Sequence, residues 1–151
     1  MKFFIVFGLF LVNTVLGFWS QSEDEVKLFR NQFVPIADNH LRLMQLYLRR
    51  GDGQSFSKLF RIPTNIAFAP ETSAQELMSN AREHPICHNG LRLLLASTPE
   101  PIGANGIRFK YKTIYMKKID NRYSKRSYSR IVTITPKPDS PSGWAITYMA
   151  Q

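Results

Sequence analysis

Three histidines and one cysteine are the side chains best suited to bind a metal, and two of the histidines lie in the stretch EHPICH at residues 83–88. Imidazole and thiolate groups are ligands of Zn²⁺, and histidines four residues apart share one face of a helix. Pro85 lies between these two histidines and is expected to end the helix there. The third histidine, His40, is distant in sequence. We therefore predict no metal site and no cofactor.

Nucleophilic or acid–base catalysis has weak support in the sequence. Cys87 adjoins His88, but adjacent side chains in a turn rarely align as nucleophile and base. Proton transfer needs a polar group of tuned pKa in an apolar cleft, and His40, Tyr111 and Tyr115 are the candidates. Tyrosines more often bury their rings and keep their hydroxyls hydrogen-bonded. We assign no catalytic residue, and a non-catalytic protein is the preferred interpretation.

The positive charge is concentrated in one segment. Residues 108–130 hold nine Lys or Arg and one acidic residue, so the segment accounts for a net charge of +8 out of +9 for the chain. Strand alternation places Phe109 and Tyr111 on one face and Arg108 and Lys110 on the other. The candidate polyanion-binding residues are Arg108, Lys110, Lys112, Lys117, Lys118, Arg126 and Arg130.

Three interpretations of this segment remain open. A solvated face is the simplest of them, because lysines along a sheet also prevent edge-to-edge association. An acidic partner, such as anionic lipid headgroups or a sulfated polysaccharide, is the second. Nucleic acid is the least favoured, because a platform for single strands needs aromatic rings and cations on the same face. The inward aromatic residues are instead expected to line a pocket. The candidate pocket-lining residues are His40, Phe109, Tyr111, Tyr115 and Trp144, although a core position is the simpler expectation for Trp144.

The N-terminus predicts a secreted protein. Residues 1–17 have one charge, at Lys2, followed by an apolar run that is shorter than the about 20 residues of a membrane-spanning helix. Gly17 is a small residue suited to signal-peptide cleavage, and a retained membrane anchor is the alternative. Residues 18–151 then form one domain. This domain has Cys87 as its single cysteine, so it forms no internal disulfide.

A long interrupted helix is predicted first. The sequence from Ser22 to Glu25 is a capping box, and apolar residues then recur at steps of three to five up to Leu48, as on one face of a helix. Pro35 predicts a kink or a break within this run. Gly51-Asp52-Gly53 predicts the end of the helix, because glycine favours the left-handed backbone that terminates helices.

Shorter elements follow before the pattern changes. We predict a second helix over residues 55–60 and a short strand over residues 65–69. Ser73, followed by Glu76, predicts the N-cap of a third helix, and Pro85 predicts its end.

After Gly90 the apolar period becomes two, which is typical of strands. The predicted strands cover residues 91–97, 107–118, 123–135 and 144–149. The connecting loops, at 98–106 and 136–143, are rich in Gly and Pro. Strands joined by turns pair antiparallel, and the helices must cover one face of their sheet. The sequence therefore predicts an α+β domain with a curved sheet around a long helix.

This order of elements resembles the nuclear transport factor 2-like superfamily. The resemblance rests on the long first helix ended by Gly51-Asp52-Gly53, the short helix SFSKLF, the third helix TSAQELMSNAR and a last strand, GWAITYM, that opens with Gly143-Trp144. It extends from about Ser22 to Met149. The resemblance implies a cone-shaped, cystatin-like fold with three N-terminal helices packed on a curved antiparallel sheet.

The resemblance also implies a range of functions. Catalytic members of the superfamily are isomerases, dehydratases and polyketide cyclases that use a few polar residues in the open end of the cone; other members bind ligands or proteins, and sheet-to-sheet homodimers are common. No active-site motif of those enzymes matches this chain. We expect a secreted, non-catalytic domain that binds a small apolar ligand or a protein partner in its cone, and the resemblance also implies a homodimer formed through the sheet. An acid–base enzyme of the isomerase or dehydratase kind, and polyanion binding through residues 108–130, are the alternatives.

Overall fold

The structure is a computed structural model that describes residues 23–64 and 71–151. These residues form helices and an antiparallel sheet. The helices are α1 Glu23–Asn31, α2 Val34–Arg50, α3 Gly53–Ser57, α4 Ala74–Glu83 and α5 Pro85–Gly90. The strands are β1 Arg92–Leu95, β2 Glu100–Ile102, β3 Gly106–Ile119, β4 Arg122–Pro136 and β5 Trp144–Ala150. The predicted signal peptide and the predicted strand at 65–69 lie outside the described residues. The predicted α+β class is confirmed.

The predicted interruption at Pro35 is a complete break between α1 and α2. Pro35 lies in the first turn of α2, where its missing N–H leaves no hydrogen bond unmade. The helix ends at Gly51, which has a left-handed backbone with φ of 66° and whose N–H donates to the Leu48 carbonyl at 3.2 Å. The next residue, Asp52, accepts a hydrogen bond from the Ser55 N–H at 3.0 Å and so caps α3.

The third predicted helix is capped at Ser73 and ends before Pro85, as expected. Ser73 Oγ accepts a hydrogen bond from the Glu76 N–H at 3.1 Å. Beyond His84, Pro85 begins the six-residue helix α5, an element that was not predicted. The reason is that proline, which cannot continue a helix, is well suited to start one.

Within the described residues the sheet has five strands, of which β2 was not predicted. Its order is β1-β3-β4-β5, β2 pairs with β3, and all these pairings are antiparallel. Strand β2 lies in the predicted loop 98–106, where Glu100 pairs with Arg108. Asp120 and Asn121 join β3 to β4 with positive φ angles of 47° and 60°, as a two-residue hairpin turn of type I′ requires.

One face of the sheet packs on the helices. On β3, Ile107, Phe109, Tyr111, Thr113 and Tyr115 are all buried, as the alternation predicted. Helix α2 contributes Ala37, Leu41, Met44 and Leu48 to the same core. We call this helix-packed side the inner face and the opposite side the outer face.

The long helix also completes one edge of the sheet. On α2, Gln45 Oε1 accepts a hydrogen bond from the Leu93 N–H at 2.8 Å, and Arg49 donates to the Leu91 carbonyl at 2.7 Å. Backbone groups at a sheet edge need such partners when they are shielded from water. Within residues 23–64 and 71–151, no helix combines the length and apolarity needed to cross a bilayer.

Candidate functional site

The predicted pocket-lining residues lie mostly in a closed core. His40, Phe109, Tyr111 and Tyr115 are at most 6% exposed, and Trp144 is half-buried against the core. A cavity of about 590 Å³ lies between the α2–α3 turn and α4, and none of the five residues lines it. A second cavity, of about 470 Å³, has only Phe109 from this set in its wall. Four of the five predicted side chains are therefore packed in the core, and of the set only Phe109 reaches either of these two cavities.

His40 joins the long helix to the loop before β5. Its Nδ1 lies 2.8 Å from Ser142 Oγ, which is also 2.9 Å from the Trp144 carbonyl oxygen and 3.2 Å from the Trp144 N–H. Ser140 Oγ donates to the same carbonyl at 2.6 Å. These hydrogen bonds hold the loop against the helix.

Burial also decides the charge of His40. Its Nε2 has no hydrogen-bond partner among the described residues, and burial lowers the pKa of the imidazole to about 4. Because transfer of a charged imidazolium into this environment is costly, His40 is neutral near pH 7. A weak base that is 0% exposed is poorly suited to proton transfer with a substrate.

Arg130 faces the core, which corrects its assignment to the basic surface. It is 6% exposed, lies opposite Tyr111 in the β3–β4 register, and its guanidinium carbon is 5.0 Å from the centre of the Tyr128 ring. Burial raises the pKa of Tyr111, and the charge of Arg130 opposes that shift. The signal was present in the sequence, because alternation places Arg130 on the same face as the apolar Val132.

The side chains of Cys87 and His84, in the stretch of residues 83–88, make separate contacts. Cys87 is buried, its Sγ lies 3.5 Å from the Met116 carbonyl oxygen, and burial raises the pKa of its thiol. The His84 ring packs edge-on to Tyr123, with 6.0 Å between ring centres. In the described parts of the chain, no group of three or more His, Cys, Asp or Glu side chains is placed to hold a metal ion.

The outer face carries an exposed row of cations. Arg108, Lys110 and Lys112 are exposed on β3, and their partners on β4 are the uncharged Thr133, Ile131 and Ser129. Three further cations share this face by the strand register, namely Lys118 on β3, Lys125 on β4 and Arg92 on β1. We call these six residues the basic face. Lys125 and Arg92 were not among the predicted candidates, although both occur in predicted strands.

Two predicted candidates lie elsewhere on the hairpin. Lys117 is half-buried on the opposite side of β3, with its Nζ 3.8 Å from Glu71 Oε2. Arg126 is exposed but pairs with Tyr115, which places it on the inner side of β4. Because successive side chains of a strand point to opposite faces, both residues lie on the face opposite to the row formed by Arg108, Lys110 and Lys112.

A depression interrupts the edge of the basic face. Pairing of β1 with β3 ends at Leu95 and Tyr111, and pairing of β2 with β3 begins at Glu100 and Arg108. Between these pairs the Ala96 N–H still donates to the Lys110 carbonyl at 2.8 Å, and Ser97 Oγ then replaces a backbone partner by accepting a hydrogen bond from the Lys110 N–H at 2.8 Å. The resulting cavity of about 470 Å³, which we call the edge depression, is lined by Arg30, Ser97, Thr98, Glu100, Arg108, Phe109, Lys110 and Ile131.

Comparison with known proteins finds similarity among solved structures. No family model and no curated protein matches the chain. An NTF2-like protein with a cystatin-like fold from Novosphingobium aromaticivorans is 12% identical, with a TM-score of 0.43, over 86% of this chain and 88% of that protein. Aln2 from Streptomyces is 13% identical, with a TM-score of 0.43, over 80% and 88%. An NTF2-like superfamily protein from Salmonella enterica is 12% identical, with a TM-score of 0.41, over 82% and 89%.

The descriptions of two of these three structures agree with the resemblance predicted from the order of elements. The chain is similar to NTF2-like proteins with a cystatin-like fold. At these identities and TM-scores the similarity gives no information on function.

Proposed function

We propose that this protein is a non-catalytic binding domain that holds a sulfated polysaccharide on its basic face. The observation that carries the proposal is the row of Arg108, Lys110 and Lys112, which are exposed at consecutive outward positions of one strand. Charged side chains on the outside of a sheet are common. The proposal therefore depends on what surrounds them.

The row keeps its positive charge. In the described residues, no ion pair joins a carboxylate to Lys110 or Lys112, and the strand that flanks them, β4, offers uncharged residues at the paired positions. The acidic residue nearest in the register is Glu100, opposite Arg108, and it is in contact with Arg30 at 3.7 Å. A surface of one sign attracts a ligand of the opposite sign over roughly one Debye length, about 8 Å at physiological ionic strength.

The geometry of the row suits a linear polymer. Alternate residues of a strand are about 7 Å apart, so the three cations span roughly 14 Å in a line. The aromatic side chains of β3 are buried on the inner face, so the row itself offers no rings on which bases of a single-stranded nucleic acid could stack; the exposed ring beside it is Tyr148 of β5, opposite Thr133. The predicted secretory signal also supports an extracellular polyanion over nucleic acid.

Two other functions have less support. Ligand binding inside the cone meets a core in which His40 and Tyr111 are 0% exposed. Acid–base catalysis would have to use the same inaccessible groups. The basic face needs no rearrangement before a partner reaches it.

The test is a titration of the purified protein with a heparin-derived dodecasaccharide at several salt concentrations. We expect binding that weakens steeply with salt, because each neutralised sulfate releases a counterion, as each phosphate does in nucleic acids. A double variant, Lys110→Ala with Lys112→Ala, is expected to lower the affinity by at least about tenfold and to flatten the salt dependence by roughly two charges.

The matched control is Arg50→Ala with Lys58→Ala, which removes the same charge from exposed positions in the helical region. An equal loss of affinity in both double variants would mean that net charge alone is responsible, and would overturn the proposal. So would tighter binding of a DNA duplex with the same number of charges, or no binding at low salt.

A further inference from the structure

We infer that the edge depression is a distinct subsite for one sulfate group of this polysaccharide. The inference rests on the proposed function and adds a specific position at which the ligand is recognised. It is carried by cations from two elements, α1 and β3, that meet around a concave space beside the exposed row.

The charge of the depression favours an anion. Arg30, Arg108 and Lys110 supply three positive charges to its wall, and Glu100 supplies one negative charge. Glu100 Oε1 lies 3.7 Å from the Arg30 guanidinium, and both side chains are about half exposed, at 59% and 48%. An ion pair of this exposure is weak, so Arg30 remains available to a stronger anion. Two guanidinium groups offer paired N–H donors to the oxygens of a sulfate.

The neutral groups of the wall match the rest of such a ligand. Ser97 Oγ accepts the Lys110 N–H, which leaves its own hydroxyl proton available for donation. Thr98 offers a second hydroxyl, and Ile131 adds an apolar surface for the carbon atoms of a sugar ring. The volume of about 470 Å³ lies within the range of about 300–1,000 Å³ that is usual for small-ligand clefts.

Arg30 separates this site from a general attraction to the basic face. It comes from α1, which precedes the sheet by 61 residues of sequence, and it is not a member of the basic face. A ligand held only by the strand row would not depend on it. Glu100 has the opposite role, because its carboxylate repels an incoming sulfate at short range.

The experiment follows the binding of a trisulfated heparin disaccharide to the ¹⁵N-labelled protein by NMR. We expect the amide signals of Ser97, Thr98 and Lys110 to shift most. Arg30→Ala is expected to lower the affinity for the disaccharide by about fivefold, because it removes a positive charge near the ligand. Glu100→Gln is expected to raise this affinity by about threefold, because it removes a negative charge. The control is Lys27→Ala, which removes an exposed cation of the same helix outside the depression and is expected to change the affinity by less than about twofold.

The outcomes separate the subsite from the proposed function. If Arg30→Ala and Glu100→Gln bind the disaccharide as the unaltered protein does, while the Lys110–Lys112 variant still loses the dodecasaccharide, the subsite is wrong and the basic face stands. If neither saccharide binds at low salt, both proposals fail. A sugar phosphate that binds more tightly than its sulfated counterpart, with the same dependence on Arg30, would overturn the assignment to sulfate.

Discussion

The two faces of the β3–β4 hairpin share one sequence segment and differ in burial. Phe109 and Tyr111 are buried on the inner face, and between them Lys110 is exposed on the outer face. Arginine occurs on both faces, at the exposed Arg108 and the buried Arg130. The difference teaches that the number of charges in a segment does not measure its exposed basic surface, which depends on the face and the burial of each position. Inner substitutions should change stability, and outer substitutions should change binding.

The largest expected effect comes from two adjacent residues. Phe109→Ala removes a buried ring that is 1% exposed and is expected to lower the free energy of unfolding by about 4 kcal/mol. Lys110→Ala is expected to change it by less than about 0.5 kcal/mol. Urea denaturation of both variants gives these values. A cost below about 1.5 kcal/mol for Phe109→Ala would show that the inner face is loosely packed and open to a ligand.

The second effect is a dependence of the folding stability on pH, caused by His40. Its pKa is about 4 in the folded protein, against an ordinary value of 6.5. As the pH falls below 6.5 the unfolded chain binds a proton that the folded protein does not, so the folded protein loses stability until the pH reaches about 4. The loss attributable to this group is about 3 kcal/mol.

Denaturation curves between pH 7 and pH 4 measure this loss, and the His40→Gln variant provides the comparison because its side chain does not titrate. We expect the variant to lose about 3 kcal/mol less than the unaltered protein over this interval. Identical pH profiles would mean that His40 is reached by water, and that the inner face is less closed than its burial indicates.

The third effect compares the two arginines. Arg130→Ala removes a buried side chain stacked on Tyr128 and is expected to lower the free energy of unfolding by about 2 kcal/mol, since the stem of an arginine contributes packing as well as charge. Arg108→Ala is expected to stay within about 0.5 kcal/mol. Thermal unfolding at neutral pH distinguishes the two. Equal losses of unfolding free energy in the two variants would argue that both arginines are in equally buried positions.

The smallest change in stability is expected on the outer face, where the effect should appear in binding instead. Arg108→Ala combined with Lys112→Ala is expected to alter the free energy of unfolding by less than about 0.5 kcal/mol. A saturating sulfated oligosaccharide should raise the melting temperature of the unaltered protein, because a ligand that binds only the folded state stabilises it. The double variant should lose most of that rise. A rise of the same size in both proteins would place the ligand elsewhere.

The elements that follow from local chemistry were predictable. The interruption at Pro35, the N-cap at Ser73 and the end of the long helix at Gly51 each depend on residues that are close together in sequence. The side chains of β3 that point inward were predictable from the alternation of apolar and polar residues along the strand. Two elements were missed. Strand β2 is short and contains Pro101, and α5 begins at a proline that also marks the end of α4.

The candidate site was predictable only in part. Alternation located the row of Arg108, Lys110 and Lys112, and it also indicated that Arg130 belongs with Val132 on the inner side. No local pattern could reveal that Arg30 lies beside Glu100, which is 70 residues away in sequence. The burial of His40 and its contact with Ser142, 102 residues away, depend in the same way on how the helix packs against the sheet.

The sequence by itself determined the order of helices and strands, the ends of the long helix and the separation of cations from aromatic residues on β3, because caps, prolines and side-chain alternation act over a few bonds. Tertiary structure alone decided whether the cone is open, which cations remain unpaired by carboxylates, and where a concave site forms. These properties depend on distances between segments that are far apart in the chain. Such distances are set by the packing of the whole core and not by the neighbours of any one residue.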